Sequence, residues 1–187
     1  MAAHADASCT LVIRQRRVLR QMKALSDSMR RSRRDNARIG PRQTDDKRNQ
    51  HRTRSPHCEQ MTRIYLIEDN PLIATTLSDG LQEFADCDVI GTASTSGGAI
   101  DWLKNNPQEW DAAVIDIFLA EGNGLTVAQY LQEHKSPTQR TVVLMNHATS
   151  EVREGALSAG VDAVFDKSLE LEAFYDFCKK LNISPRR

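Results

Sequence analysis

The sequence predicts an α/β fold, a doubly wound five-stranded parallel sheet with helices on both faces, preceded by a disordered basic N-terminal extension. Three observations carry that prediction. From Met61 onward, short apolar runs alternate with segments of helical period, the pattern that strand–helix–strand crossovers produce. The runs are continuously apolar, as in strands buried on both faces. Isolated charges stand at their carboxyl ends, which is where an open parallel sheet builds a site.

The extension comes first in the chain. Residues 1–60 carry a net charge of about +9 and residues 61–187 about −9, the signature of a tail attached to a globular body. Stretches such as Arg30-Arg-Ser-Arg-Arg-Asp-Asn36 and Gln43-Thr-Asp-Asp-Lys-Arg-Asn-Gln50 offer almost nothing to bury against the entropy of ordering, so 30–60 is expected to be disordered. Before it, Leu11, Val18, Met22, Leu25 and Met29 recur at helical spacing, with Arg14, Arg16, Arg17, Arg20 and Lys23 between them. One reading is a basic amphipathic helix for nucleic acid, an acidic membrane surface or a partner groove; the other is a floppy extension. Because Met61 opens the globular sequence just before its first strand, residues 1–60 are also read as lying upstream of the true start.

In the body, strands are expected near 63–67, 88–93, 111–116, 141–145 and 162–166, and helices near 71–84, 96–105, 124–134, 150–159 and 169–181. Pro71 suits the first turn of a helix, where its missing N–H does no harm, and Asn70 can cap it. Leu72, Ile73, Thr76, Leu77, Gly80, Leu81 and Phe84 give that helix one apolar stripe. Asn105, Asn106 and Pro107 end the second helix, Gly124 starts the third after a Gly122-Asn123 loop, and Gly160 closes the fourth. These units fill 61–187 and leave no residues for an output domain.

Several classes are set aside by composition. The four cysteines, Cys9, Cys58, Cys87 and Cys178, show neither a disulfide framework nor zinc-site spacing, which fits a reducing, cytoplasmic compartment. No apolar run approaches the roughly 18 residues of a membrane span.

Glu68, Asp69 and Asp116 follow the first and third strands, and Lys167 follows the fifth. Three carboxylates converging at a switch point repel one another unless a cation offsets them. Oxygen-only ligands without His or Cys favour Mg²⁺. The ion and the Lys167 ammonium could together stabilise a phosphoryl group moving onto a carboxylate. Taken singly, each of these charges reads more simply as a solvated loop residue; their joint placement carries the argument. The fourth strand, Thr141-Val-Val-Leu144, ends instead in Met145.

These residues resemble the receiver domains of bacterial two-component response regulators. Ile64-Tyr-Leu-Ile-Glu-Asp-Asn-Pro71 looks like the family's acidic-pair motif, Ala113-Val-Ile-Asp-Ile-Phe-Leu-Ala-Glu-Gly-Asn-Gly-Leu125 like its phospho-acceptor strand and loop, and Gly160-Val-Asp-Ala-Val-Phe-Asp-Lys-Ser168 like its fifth strand. The resemblance implies strand order 2-1-3-4-5, Asp116 as phospho-acceptor, Mg²⁺ held by Glu68, Asp69, Asp116 and the backbone carbonyl of Phe118, and Lys167 on the phosphoryl oxygens. It implies a sensor histidine kinase or histidine phosphotransfer protein as donor, a downstream protein partner, and pairing of two copies. At the switch position, where the family carries Thr or Ser, this chain has Met145, followed by Asn146 and His147; Val164 replaces the aromatic that accompanies the switch. A thioether cannot donate the hydrogen bond that a hydroxyl gives. Asn146 could supply its amide in place of the hydroxyl, and His147 is either a plain loop residue or a shield against water.

The leading expectation is therefore a single-domain response regulator that catalyses only its own phosphorylation and dephosphorylation. The alternative is a receiver-like adaptor whose output does not depend on phosphate, favoured by Met145 and Val164. A haloacid-dehalogenase-like phosphatase is disfavoured because Ile117-Phe118 follow Asp116, where such enzymes carry D-x-D. DNA binding rests on the basic tail alone, since no helix-turn-helix follows the receiver.

Overall fold

Five strands pair in parallel in the order β2-β1-β3-β4-β5: β1 (Thr62–Ile67), β2 (Cys87–Ala93), β3 (Ala112–Asp116), β4 (Arg140–Met145) and β5 (Ala163–Asp166). The structure is a computed structural model describing residues 3–38, 61–146 and 148–181. Helices α2 (Pro71–Ala85), α3 (Ser96–Asn105), α4 (Gly124–His134), α5 (Ser150–Ser158) and α6 (Leu171–Lys179) join and follow the strands, and a long helix α1 (Ala3–Arg38) precedes them. The chain steps outward from β1 to β2 and then crosses back to β3 on the other side of β1. The switch point therefore lies between β1 and β3.

Alternation along the strands divides the core. Ile64, Leu66, Val114 and Leu144 meet α2 and α6, whereas Tyr65, Ile67, Ile115, Val143 and Met145 meet α3, α4 and α5. Each large apolar side chain so buried contributes about 1.5–3 kcal/mol. On the second face the Tyr65 and Trp102 rings stack 4.0 Å apart. Trp110, 2% exposed, is buried at the amino end of β3 beneath Gln139, whose amide donates to its carbonyl at 2.9 Å.

Local chemistry sets the breaks much as expected. The Asn70 side chain accepts from Leu72 N and Ile73 N ahead of Pro71, and Asn123 accepts from Leu125 N. Gly122 and Gly160 have φ of +83° and +82°, where a side chain is strained. Gly124 is required for space: a Cβ there would stand 2.0 Å from the Asp116 carbonyl oxygen.

Some expectations change. Leu72, placed in the apolar stripe of α2, is 58% exposed. The last helix starts at Leu171 instead of 169 because the Asp166 carboxylate holds Ser168 N and Leu169 N in a turn, and it ends at Lys179 instead of 181. Residues 30–38, expected to be disordered, continue α1; residues 39–60 lie outside the described residues.

Helix α1 is ordered by packing. Val18 and Met22, 6% and 0% exposed, join the core cluster of α2 and α6, with Leu25 and Met29 beside them. Ser26 stands beside Tyr175, whose hydroxyl lies against Gly80, and Arg30 Nε donates to Glu83 Oε2 at 2.7 Å. Arg33 donates to the carbonyls of Glu83 and Phe84 and lies over the Phe84 ring. Contacts advance together along both helices, so α1 runs parallel to α2. The apolar face that suggested a docking helix is thus used within the chain itself.

Candidate functional site

Register brings the strand ends level. Ile67 of β1 pairs with Ile115 of β3, Asp116 with Leu144 of β4, and Met145 with Asp166 of β5. The residues just beyond therefore share one rim at the switch point. Glu68 and Asp69 leave β1, Asp116 ends β3 and Lys167 leaves β5.

Lys167 is fully buried, and its Nζ donates to Glu68 Oε2 at 2.5 Å and to Asp116 Oδ2 at 2.6 Å. Glu68 Oε1 accepts from Asn70 N at 3.1 Å, and Asp116 Oδ1 accepts from Phe118 N at 3.0 Å. Asp69 Oδ2 accepts from Ala120 N at 3.0 Å, tying the β1 turn to the loop after β3. Its other oxygen, Oδ1, is buried without a hydrogen-bond partner among the described residues.

Glu68, Asp69 and Asp116 each offer a carboxylate oxygen within 4.8 Å of the others. Burial pushes the Glu68 carboxyl up to about 7, with Lys167 opposing the rise and Asp116 adding to it. Burial also works to lower the Lys167 ammonium, but Asp116 and Glu68 on either side outweigh it and hold its pKa above the ordinary value. One ammonium among three carboxylates leaves the cleft electron-rich, and an unpartnered buried oxygen is costly. Both features fit a hard divalent cation, for which an all-oxygen donor set is suited.

The switch-region residues are placed differently. Met145 is 1% exposed and packs in the cluster that contains Val164, 4% exposed, and Ala156. Asn146 is half-buried, with an Oδ1 that finds no partner among the described residues. His147 lies outside the described residues. The Phe118 side chain is 57% exposed.

Two supports were not singled out from sequence. Asp166, 4% exposed, accepts from Ala148 N at 3.3 Å, Ser168 N at 2.8 Å and Ser168 Oγ at 2.6 Å, and so couples the loops after β4 and β5. Its signal was the acid two residues before Ser168, the spacing of an Asx-type turn. Arg153 of α5 donates to the Val164 carbonyl and to Glu170 Oε2 at 2.7 Å, clamping α5 to the end of β5. Nothing local marks a pair 17 residues apart.

Residues 64–178 match the family model of the response regulator receiver domain. The DNA-binding transcriptional activator DevR/DosR of Mycobacterium tuberculosis is 26% identical over 110 residues, covering 59% of this chain and 49% of that protein. The match thus spans about half the length of that curated relative. The signal receiver domain of the putative response regulator NarL from Mycobacterium tuberculosis has a TM-score of 0.54 at 22% identity, covering 64% of this chain and 98% of that one. The response regulator domain of Thermotoga maritima CheB has a TM-score of 0.56 at 17% identity, covering 67% and 100%. A Burkholderia pseudomallei response regulator solved with a phosphorylated aspartic acid, a calcium ion and citrate has a TM-score of 0.51 at 24% identity, covering 60% and 64%. At these identities the structural likenesses show the shared fold.

Proposed function

The chain belongs to the response regulator receiver family, and on that premise we propose that it serves phosphorelay signalling by accepting a phosphoryl group on Asp116. Receiver domains are signalling proteins and not conventional enzymes. The observation that carries the reading is the buried bridge of Lys167 between Glu68 and Asp116, with the unpartnered Asp69 oxygen beside it.

In this reading an Asp116 oxygen attacks the phosphorus of a phosphohistidine or small acyl phosphate. A P–O bond forms as the donor's P–N or P–O bond breaks, and the leaving group departs in line. Glu68, Asp69, Asp116 and the backbone carbonyl of Phe118 would hold Mg²⁺, which when bound supplies charge neutralisation for the carboxylate and the incoming phosphoryl oxygens. Phe118 N orients Asp116 by holding Oδ1. Lys167 shares its ammonium between the carboxylates and is poised to follow the phosphoryl charge. Donors in the cell would be a histidine kinase or phosphotransfer protein, the compartment the cytoplasm, and the output a protein contact by a single receiver unit or a pair of them.

Acetyl phosphate with Mg²⁺ is expected to label the wild-type protein and not Asp116→Asn, read by intact-mass shift. Equal labelling of both would remove Asp116 from the role. A second reading is an adaptor that signals without phosphate dependence, favoured by the apolar burial of Met145 and Val164. It predicts a labelled protein whose amide exchange over α5 and β5 is unchanged by phosphorylation.

A further inference from the structure

Docking of α1 uses one side of that helix and displays the other. Val18, Met22, Leu25 and Met29 face α2 and α6. On the opposite side Arg16, Arg20, Lys23, Asp27, Arg31 and Arg34 are all exposed. At 100° per residue they fall within an arc of about 80°, and the row is about 27 Å long. Its single acid, Asp27, stands 3.9 Å from Arg30.

We propose that this row is a binding surface for the phosphate backbone of a nucleic-acid duplex, an activity independent of the acidic site. Five cations in one straight line present a rigid positive edge to a polyanion that carries one charge per about 1.7 Å of duplex axis. Four of them are arginines, whose planar guanidinium forks pair bidentately with phosphate. The row contains no apolar or aromatic anchor, which separates it from a protein docking face, where the interface core is depleted in charge. Insertion into a lipid surface would use the apolar side of α1, which is covered by α2 and α6. The charge of about −9 over residues 61–187 repels a duplex from the body and keeps the contact off it. Contacts made to phosphate position a duplex without reading its bases, so binding is indifferent to sequence.

The test is fluorescence anisotropy of the full chain with a labelled duplex of about 24 base pairs, repeated between about 50 and 200 mM salt. Five phosphate contacts give a slope of log K against log salt of about −4.5. Arg16→Gln with Arg20→Gln, or Arg31→Gln with Arg34→Gln, each lowers its magnitude by about 2 and weakens low-salt binding at least about tenfold, while circular dichroism is unchanged. Neutralising Arg42, Lys47, Arg48, Arg52 and Arg54 leaves at least the slope assigned to the row. Absence of salt-dependent binding, slopes unmoved by the row substitutions, or binding lost with the 42–54 charges alone would overturn the proposal. So would poly-glutamate displacing the duplex as well as unlabelled duplex does at equal charge, since the surface would then accept any acidic chain.

Discussion

Lys167 sits between two carboxylates with no access to water, so its charge cannot be removed without leaving Glu68 and Asp116 facing one another. Breaking a buried pair in this way costs about 3–5 kcal/mol. Lys167→Met is expected to lower stability by that order in urea titrations with chelator present, and Mg²⁺ should recover part of the loss. An unchanged unfolding midpoint would mean that the carboxylates are already neutral. Glu68 supplies a pH signature. Its folded pKa is raised from the ordinary 4.5 to about 7, so the native state binds the extra proton and the stabilisation is fully present below 4.5 and lost as pH rises through 7. Thermal melts in chelator should therefore show the melting temperature falling by several degrees between pH 5 and 8 through this group, and Glu68→Gln should flatten that fall. A wild-type and Glu68→Gln pair with the same slope would assign the pH dependence elsewhere.

Among elements, the β3–α4 connection is the tightest constraint on the site, because Gly124 N donates to the Ile117 carbonyl at 3.0 Å while its α-carbon passes against the Asp116 backbone. Gly124→Ala forces backbone apart at the acceptor strand; a loss of about 2–4 kcal/mol is expected by denaturation, together with slowed acetyl-phosphate labelling of the fraction still folded. Full stability in that variant would show the loop to be compliant. Helix starts and the strand ends were readable beforehand because Asn70 and Asn123 cap through their own side chains and Pro71, Gly122 and Gly124 act through their own backbone. The late start of α6 and the Arg153 clamp were not, because the first depends on where the Asp166 carboxylate turns and the second on two elements meeting. Leu72 differs for a related reason: helical spacing gives a stripe but not its edge, and Leu72 stands about 100° around α2 from the buried Ile73, on the side turned to solvent.

For the whole molecule, the largest departure from the sequence reading is α1, whose low hydrophobicity pointed to disorder over 30–38 although its sparse apolar positions sufficed once α2 and α6 supplied the other half of the contact. Met22→Asp is expected to raise amide exchange at least about tenfold across 16–35, while β1 to α6 keep their protection. Uniform loss of protection would instead make α1 and the sheet one cooperative unit. The placement of the two tryptophans bears on every such measurement. Trp102 is stacked on Tyr65 beneath the sheet and Trp110 is sealed at the amino end of β3, the end remote from Asp116. Intrinsic fluorescence is therefore a reporter of global unfolding and is blind to ion loading at the carboxyl rim. Phe118, exposed two residues beyond Asp116, is the position where an indole could be introduced to give that rim an optical signal of its own.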